Sequence, residues 1–174
     1  AASTLTRTSF CAGAGLAIAL ACDIRIAATT ARFARTSSSG GSRYEAGQIA
    51  LWEFKEGSGT TAFDTSGVQP AINLTLSGDI AWVGGWGINV RSGKAQGSTT
   101  ASRKLHDLIK GTGEYSIEAW VAPGNVAQED ARIVSYSGGS TTRNFMLGQT
   151  LYSYDFYNRS STTNQAGDPK LTTL

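Results

Sequence analysis

Residues 47–67 constrain the fold more than any other part of the chain. They read GQIALWEFKEGSGTTAFDTSG and place Trp52 and Phe54 on the same face of an extended strand, because side chains alternate along a strand. The glycines that follow break the strand, since glycine adopts backbone angles that other residues resist. A strand with two aromatic side chains on one face needs a second layer packed against it, so this stretch predicts a β-sandwich.

The composition is that of one globular domain. The chain has 174 residues, with 21 glycines and 3 prolines, so glycine turns should predominate. That length suits one domain better than two. The net charge of +2 is too small to indicate binding to nucleic acid or to an anionic membrane surface.

Charge and residue types are unevenly distributed along the chain. Residues 1–43 hold both cysteines, together with five arginines against one aspartate, and so carry +4, which leaves −2 for the rest. Residues 37–42 (SSSGGS) are typical of a small polar linker. We therefore predict an N-terminal segment over residues 1–43 and a β domain over residues 44–174. The sequence does not begin with Met, and we expect it to be part of a longer product.

Residues 11–34 (CAGAGLAIALACDIRIAATTARFA) differ from the rest of the chain. Residues 16–22 favour a helix, and residues 23–27 alternate as in a short strand. The segment resembles a piece of the enoyl-CoA hydratase (crotonase) family, whose motif ends in Cys-Asp-hydrophobic-Arg-hydrophobic-Ala. The resemblance implies that Ala14 lies at the oxyanion turn and Ala17 at the position of the catalytic acid/base, which alanine cannot replace. The rest of that fold is missing, so we expect no crotonase activity.

A secretory signal is a second interpretation of the same segment. Arg7 precedes a 12-residue apolar run, and residues 19–22 (ALAC) form an imperfect bacterial lipobox. This interpretation indicates a bacterial protein that is secreted or lipid-anchored at the cell surface. A third interpretation is that the segment is a stray piece joined to the β domain. We expect residues 16–21 to be helical and to pack little against the β domain, so that deletion of residues 1–43 leaves the melting temperature of the rest nearly unchanged. We expect no membrane insertion of residues 44–174.

After residue 67, short apolar strands alternate with glycine turns. Ile72, Leu74 and Leu76 share one strand face, and Ile117, Ala119 and Val121 share another. This pattern predicts an all-β, antiparallel β-sandwich or jelly roll with a short N-terminal helical segment. The predicted elements are strands at 71–77, 80–83, 88–91, 114–121, 131–135, 144–147 and 151–157, a turn at 78–79, a loop at 93–102, one or two helical turns at 103–109 closed by Gly111 and Gly113, and a last strand from residue 170.

Two motifs resemble the laminin-G-like part of the concanavalin A-like lectin/glucanase superfamily. Residues 52–67 match its aromatic strand, Glu-Gly-Ser-Gly-Thr turn and Asp-x-Ser-Gly, and residues 117–123 match its Ile-Glu-Ala-Trp-Val-x-Pro strand. The resemblance implies a jelly roll over residues 47–174 that is truncated at its C-terminus, because the family's Trp-x-His-Val strand and Tyr-Val-Asn-Gly hairpin do not occur. The open edges would need a missing segment or a partner chain.

The resemblance also implies binding sites. Some members hold calcium through carboxylate and carbonyl oxygens, and Asp64 is the candidate ligand here. The alternative is that Asp64 bonds its own turn as an Asx-turn. Sugars would stack on aromatic side chains, for which Trp82, Trp86, Trp120, Tyr152, Tyr154 and Tyr157 are available. Of these, the candidate ligand-binding residues are Trp82, Trp86, Trp120 and Tyr154.

Catalysis is not expected. Glu53 and Glu56 point to opposite faces of a strand, and Glu114 and Glu118 lie roughly 13 Å apart along one, beyond the ~5–9.5 Å that glycosidases need. The one histidine, His106, has no nucleophile partner. We predict a non-catalytic recognition or adhesion module that binds glycan or protein, as part of an extracellular or cell-surface multidomain protein. The alternatives are a structural spacer without ligand and a crotonase-like fragment.

Overall fold

The computed structural model describes residues 24–28, 47–84, 87–127 and 131–173. Within these residues every paired strand is antiparallel, which confirms the all-β class. The chain divides into two compact units, Ala1–Trp120 and Val121–Leu174. The described elements are β1 (Ile24–Ala28), β2 (Gln48–Trp52), β3 (Thr61–Ala62), β4 (Leu74–Trp82), β5 (Ile88–Gly97), α1 (Thr99–Thr112), β6 (Tyr115–Ala119), β7 (Ala131–Ser137), β8 (Arg143–Thr150), β9 (Ser153–Asn158) and β10 (Leu171–Thr172).

Strand β1 is the central strand of a sheet with the order β2-β1-β6. Ile24 lies opposite Trp52 on one side and opposite Ala119 on the other. Part of the N-terminal segment predicted over residues 1–43 therefore belongs to a sheet of the β domain, which contradicts the expectation that deletion of these residues has little effect on the rest. The physical reason is that β2 and β6 each present an edge of backbone N–H and C=O groups, and β1 pairs with both.

The short strand expected at residues 23–27 is confirmed, since β1 covers all but the first of these residues. The helix expected at residues 16–22, the linker at 37–42 and Trp86 lie outside the described residues. The division between residues 43 and 44 stays a prediction.

The second sheet of this unit has the order β3-β4-β5. The turn predicted at residues 78–79 is wrong, because β4 continues through Gly78 with a bulge between Asp79 and Ile80. Gly78 has a φ of 86°, and a Cβ there would collide with the carbonyl oxygen of Ser92 on β5. Glycine therefore bends the strand instead of ending it. The loop predicted at 93–102 is also wrong, since β5 extends to Gly97.

Helix α1 has about four turns, more than the one or two predicted. It starts at Thr99, before the predicted start at residue 103, because the Ser98 side chain caps it. This side chain accepts a hydrogen bond from the Ala101 N–H at 3.1 Å. It continues through Gly111, where an end was also predicted, and ends at Gly113, whose φ of 74° lets its N–H donate to the carbonyl of Ile109 at 2.7 Å.

The core of this unit is largely the predicted one. Trp52 and Phe54 are buried, and so are Ile72, Leu74 and Leu76 between exposed neighbours. Ile117 is only half-buried. Burying each large side chain contributes roughly 1.5–3 kcal/mol.

The unit Val121–Leu174 holds a four-stranded sheet with the order β10-β9-β8-β7. Strand β8 buries five consecutive residues from Phe145 to Gln149. The strands expected at 131–135, 144–147 and from residue 170 are confirmed with shifted ends. The strand expected at 151–157 is instead β9, which starts at Ser153 because residues 151 and 152 form a turn.

Candidate ligand-binding site

The tip of the β8–β9 hairpin carries two large apolar side chains. Thr150 pairs with Ser153, so Leu151 and Tyr152 form a two-residue turn. Tyr152 is 81% exposed and Leu151 is 47% exposed. Tight turns usually place small polar or glycine residues at such a tip. The exposed pair is therefore a feature that the turn itself does not require.

Leu151 has an unfavourable backbone conformation. Its φ is 52°, in the left-handed region that glycine normally occupies at the first central position of a hairpin turn. An L-residue there costs about 1–2 kcal/mol. Strain of this kind is concentrated at functional sites, so the conformation supports a binding role for the tip.

The buried side-chain amide of Gln149 holds the backbone of the hairpin tip through hydrogen bonds. Gln149 is 5% exposed, and its Nε2 donates to the carbonyl of Leu151 at 2.8 Å and to the carbonyl of Asn125 at 3.3 Å. The second bond joins the hairpin to the segment that contains Val126, which is exposed. The tip is therefore held in place before any ligand arrives.

A buried carboxylate holds the base of the same hairpin. Asp155 accepts hydrogen bonds from Thr150 at 2.6 Å, Thr172 at 2.6 Å and the Lys170 ammonium at 2.8 Å. Burial raises the pKa of Asp155, but these hydrogen bonds outweigh burial and lower its pKa overall. The network links β8, β9 and β10.

The residues next to Tyr152 along the hairpin are uncharged. Its neighbours along the hairpin are Thr150 and Ser153, and the Gln149 amide reaches the carbonyl of Asn125. An exposed tyrosine ring with its own phenolic hydroxyl is suited to a neutral polyhydroxyl ligand, which offers both an apolar ring face and hydrogen-bonding groups.

The predicted aromatic residues lie in different elements of the chain. Trp82 lies in β4, half-buried, with its indole N–H donating to the carbonyl of Gly59 at 2.8 Å. Trp120 follows β6, half-buried, and donates to Glu118 Oε1 at 2.8 Å. Tyr154 lies in β9 of the other unit, where burial raises its pKa. Their role in ligand binding stays a prediction.

Tyr152 is among the aromatic residues available for stacking but not among the ligand-binding residues predicted from the sequence. Residues 151–157 look like one continuous strand, and the turn lacks the glycine or asparagine that would mark it.

Asp64 makes contacts that do not suit a calcium ion. Its Oδ1 accepts from the backbone N–H groups of Leu51 at 3.1 Å and Ser66 at 3.0 Å, and the second of these is the expected Asx-turn. Its Oδ2 accepts from the N–H of Ile72 at 2.9 Å and from the ammonium of Lys104 at 2.6 Å. Within the described residues, no three His, Cys, Asp or Glu side chains lie close enough together to hold a metal.

The candidate catalytic side chains make local contacts. Glu53 pairs with Lys55 at 2.6 Å, and Glu56 Oε1 accepts from the backbone N–H of Phe63 at 2.7 Å. His106 Nδ1 lies 2.9 Å from Oδ1 of its exposed neighbour Asp107. The absence of enzymatic activity stays a prediction.

Comparison with protein-family models, with curated proteins and with solved structures gives no match. The laminin-G-like and crotonase-like resemblances thus rest on their sequence motifs. Across the described part of the chain, the helix that is present is too short and too polar to cross a membrane.

Proposed function

We propose that this protein is a non-catalytic recognition module that binds carbohydrate at the β8–β9 hairpin tip. The observation that supports this most directly is the 81% exposure of Tyr152 on a turn braced by the buried Gln149. A rigid, exposed aromatic ring is a surface on which one face of a sugar ring can stack.

The energetics favour weak binding at a single tip. A tyrosine carries about 150–250 Å² of surface, and covering roughly 80 Å² of apolar area contributes about 2 kcal/mol. A hydrogen bond to the Tyr152 hydroxyl adds to this, and the braced backbone loses little entropy on binding. We expect affinity on the order of millimolar for a short oligosaccharide and stronger retention on a polysaccharide, where several copies bind together.

The module fits a laminin-G-like jelly roll in an extracellular or cell-surface protein of which it is one part. Strand β5 is an edge strand of its sheet within the described residues, which supports the idea that a further segment or a partner chain extends this sheet. A structural spacer without ligand is the alternative function.

Binding to a glycan array, followed by titration calorimetry with the bound oligosaccharide, tests the proposal. Tyr152→Ala should abolish binding, whereas Tyr152→Phe should retain it because the ring remains. Phe63→Ala is the matched control, since Phe63 is also a half-exposed aromatic residue but belongs to the other unit. Equal binding by the wild type and Tyr152→Ala would contradict the proposed site, and no binding to any glycan would favour the spacer.

Turnover assays on β-glucans and on enoyl-coenzyme A substrates test the non-catalytic part of the proposal. The purified chain should be inactive on both. Hydrolysis that Glu53→Gln or Glu118→Gln abolishes would overturn it.

A further inference from the structure

The ion pair between Asp64 and Lys104 is the most deeply buried charge pair among the described residues. Their side chains are 1% and 3% exposed, and Lys104 Nζ lies 2.6 Å from Asp64 Oδ2. The same nitrogen donates to the carbonyl oxygen of Val68, also at 2.6 Å. Two oxygens, one carboxylate and one carbonyl, thus converge on a single positive centre.

This arrangement has the donor chemistry of a cation site. Carboxylate and backbone carbonyl oxygens are the ligands that hard cations such as calcium take in proteins. The lysine ammonium is a compact point charge that binds the same oxygens through hydrogen bonds. It carries one positive charge, which matches the single carboxylate of Asp64.

We propose that the Lys104 ammonium is the resident cation of the Asp64 turn, in place of a divalent metal. Lys104 extends from α1, so the ion pair fastens this helix to the loop formed by residues 64–72. The carboxylate oxygen that would face calcium already faces Nζ, and a metal would have to displace a buried charge. This unit therefore folds and keeps its stability without calcium.

The wild-type chain provides the first test. Its melting temperature should be the same in excess calcium and in a chelator, because no carboxylate oxygen at Asp64 is open to the metal. A rise in melting temperature with calcium that Asp64→Asn abolishes would overturn the proposal. This measurement is independent of glycan binding, so it can fail or succeed separately from the proposed function.

Variants at Lys104 separate its charge from its packing. Lys104→Met keeps most of the aliphatic stem but removes the ammonium, and should lower the melting temperature by about ten degrees because it leaves a buried, unpaired carboxylate. Lys55→Ala is the matched control, since the Lys55–Glu53 pair is equally short at 2.6 Å but solvent-exposed, and the variant should melt within a few degrees of the wild type.

A Lys104→Met variant as stable as the wild type would overturn the proposal. If that variant does not fold, the calcium and chelator comparison on the wild type decides the question by itself.

Discussion

The indole N–H of Trp52 donates to the carbonyl oxygen of Ile72 at 2.7 Å, which joins the end of β2 to the chain that enters β4. Trp52 thus contributes both buried apolar surface and a specific hydrogen bond across twenty residues of chain. Trp52→Ala should lower the free energy of unfolding by about 3–5 kcal/mol, because it leaves a large cavity. Trp52→Phe should cost less, about 1–3 kcal/mol, as it mainly leaves the Ile72 carbonyl unsatisfied. Urea unfolding measures both, and equal losses would show that the hydrogen bond has no separate effect.

Removal of residues 1–43 should destabilise the unit Ala1–Trp120. The deletion removes β1 and leaves β2 and β6 without their shared partner. We expect the melting temperature to fall by about ten degrees or more. A shorter deletion of residues 1–22 retains β1 and serves as the control. A full deletion that melts like the intact chain would show that β1 does not contribute to stability.

Acid should weaken the unit Val121–Leu174 through Asp155. The native pKa of this carboxyl lies below its ordinary value, so the unfolded chain binds the proton more readily. The stabilisation that the Asp155 carboxylate contributes is fully present above its unfolded pKa of about 4. It is lost as the pH falls through the lower native pKa. Urea midpoints at pH 7 and pH 3 measure this loss.

The variant Asp155→Asn tests the same network at constant pH. It should cost about 1.5–3 kcal/mol at pH 7, because Thr150, Thr172 and Lys170 lose their charged acceptor, and it should reduce the dependence of stability on pH. Asp79→Asn is the control, since the Asp79–Arg91 pair is exposed. A pH dependence unchanged in Asp155→Asn would assign the acid sensitivity to other groups.

Leu151→Gly should separate the stability of the hairpin from its binding function. Glycine accepts the φ of 52° at this position, so the variant should be more stable by about 1 kcal/mol. It also removes an exposed apolar side chain beside Tyr152, and we expect weaker glycan binding. Greater stability with unchanged binding would restrict the ligand contact to Tyr152.

Much of the fold could be predicted because local patterns determine it. The alternation of Ile72, Leu74 and Leu76, the burial of Trp52 and the helix end at Gly113 all depend on neighbours within a few residues. The sequence pattern predicts a turn at Gly78, because glycine permits both a turn and a bulge. Only the pairing with the facing strand β5 distinguishes the two.

The candidate sites were harder to predict, because they depend on distant residues. Lys104 and Asp64 are forty residues apart, and nothing in the pattern around Lys104 indicates that its charge is buried. The pairing of β1 with β6 likewise depends on tertiary contacts. The sequence pattern does not indicate the exposed turn that carries Tyr152, because this turn lacks the residues that usually mark turns.

The central position of β1 has a consequence for the order in which the protein is made. Ile24 leaves the ribosome before its partner Ala119, which is synthesised 95 residues later. At ~5–20 residues per second, β1 would wait roughly 5–20 seconds for its second neighbour. During that interval β2 can already have paired with it, but the other edge stays open to any nascent strand nearby, so chaperone binding during translation should matter most for this sheet.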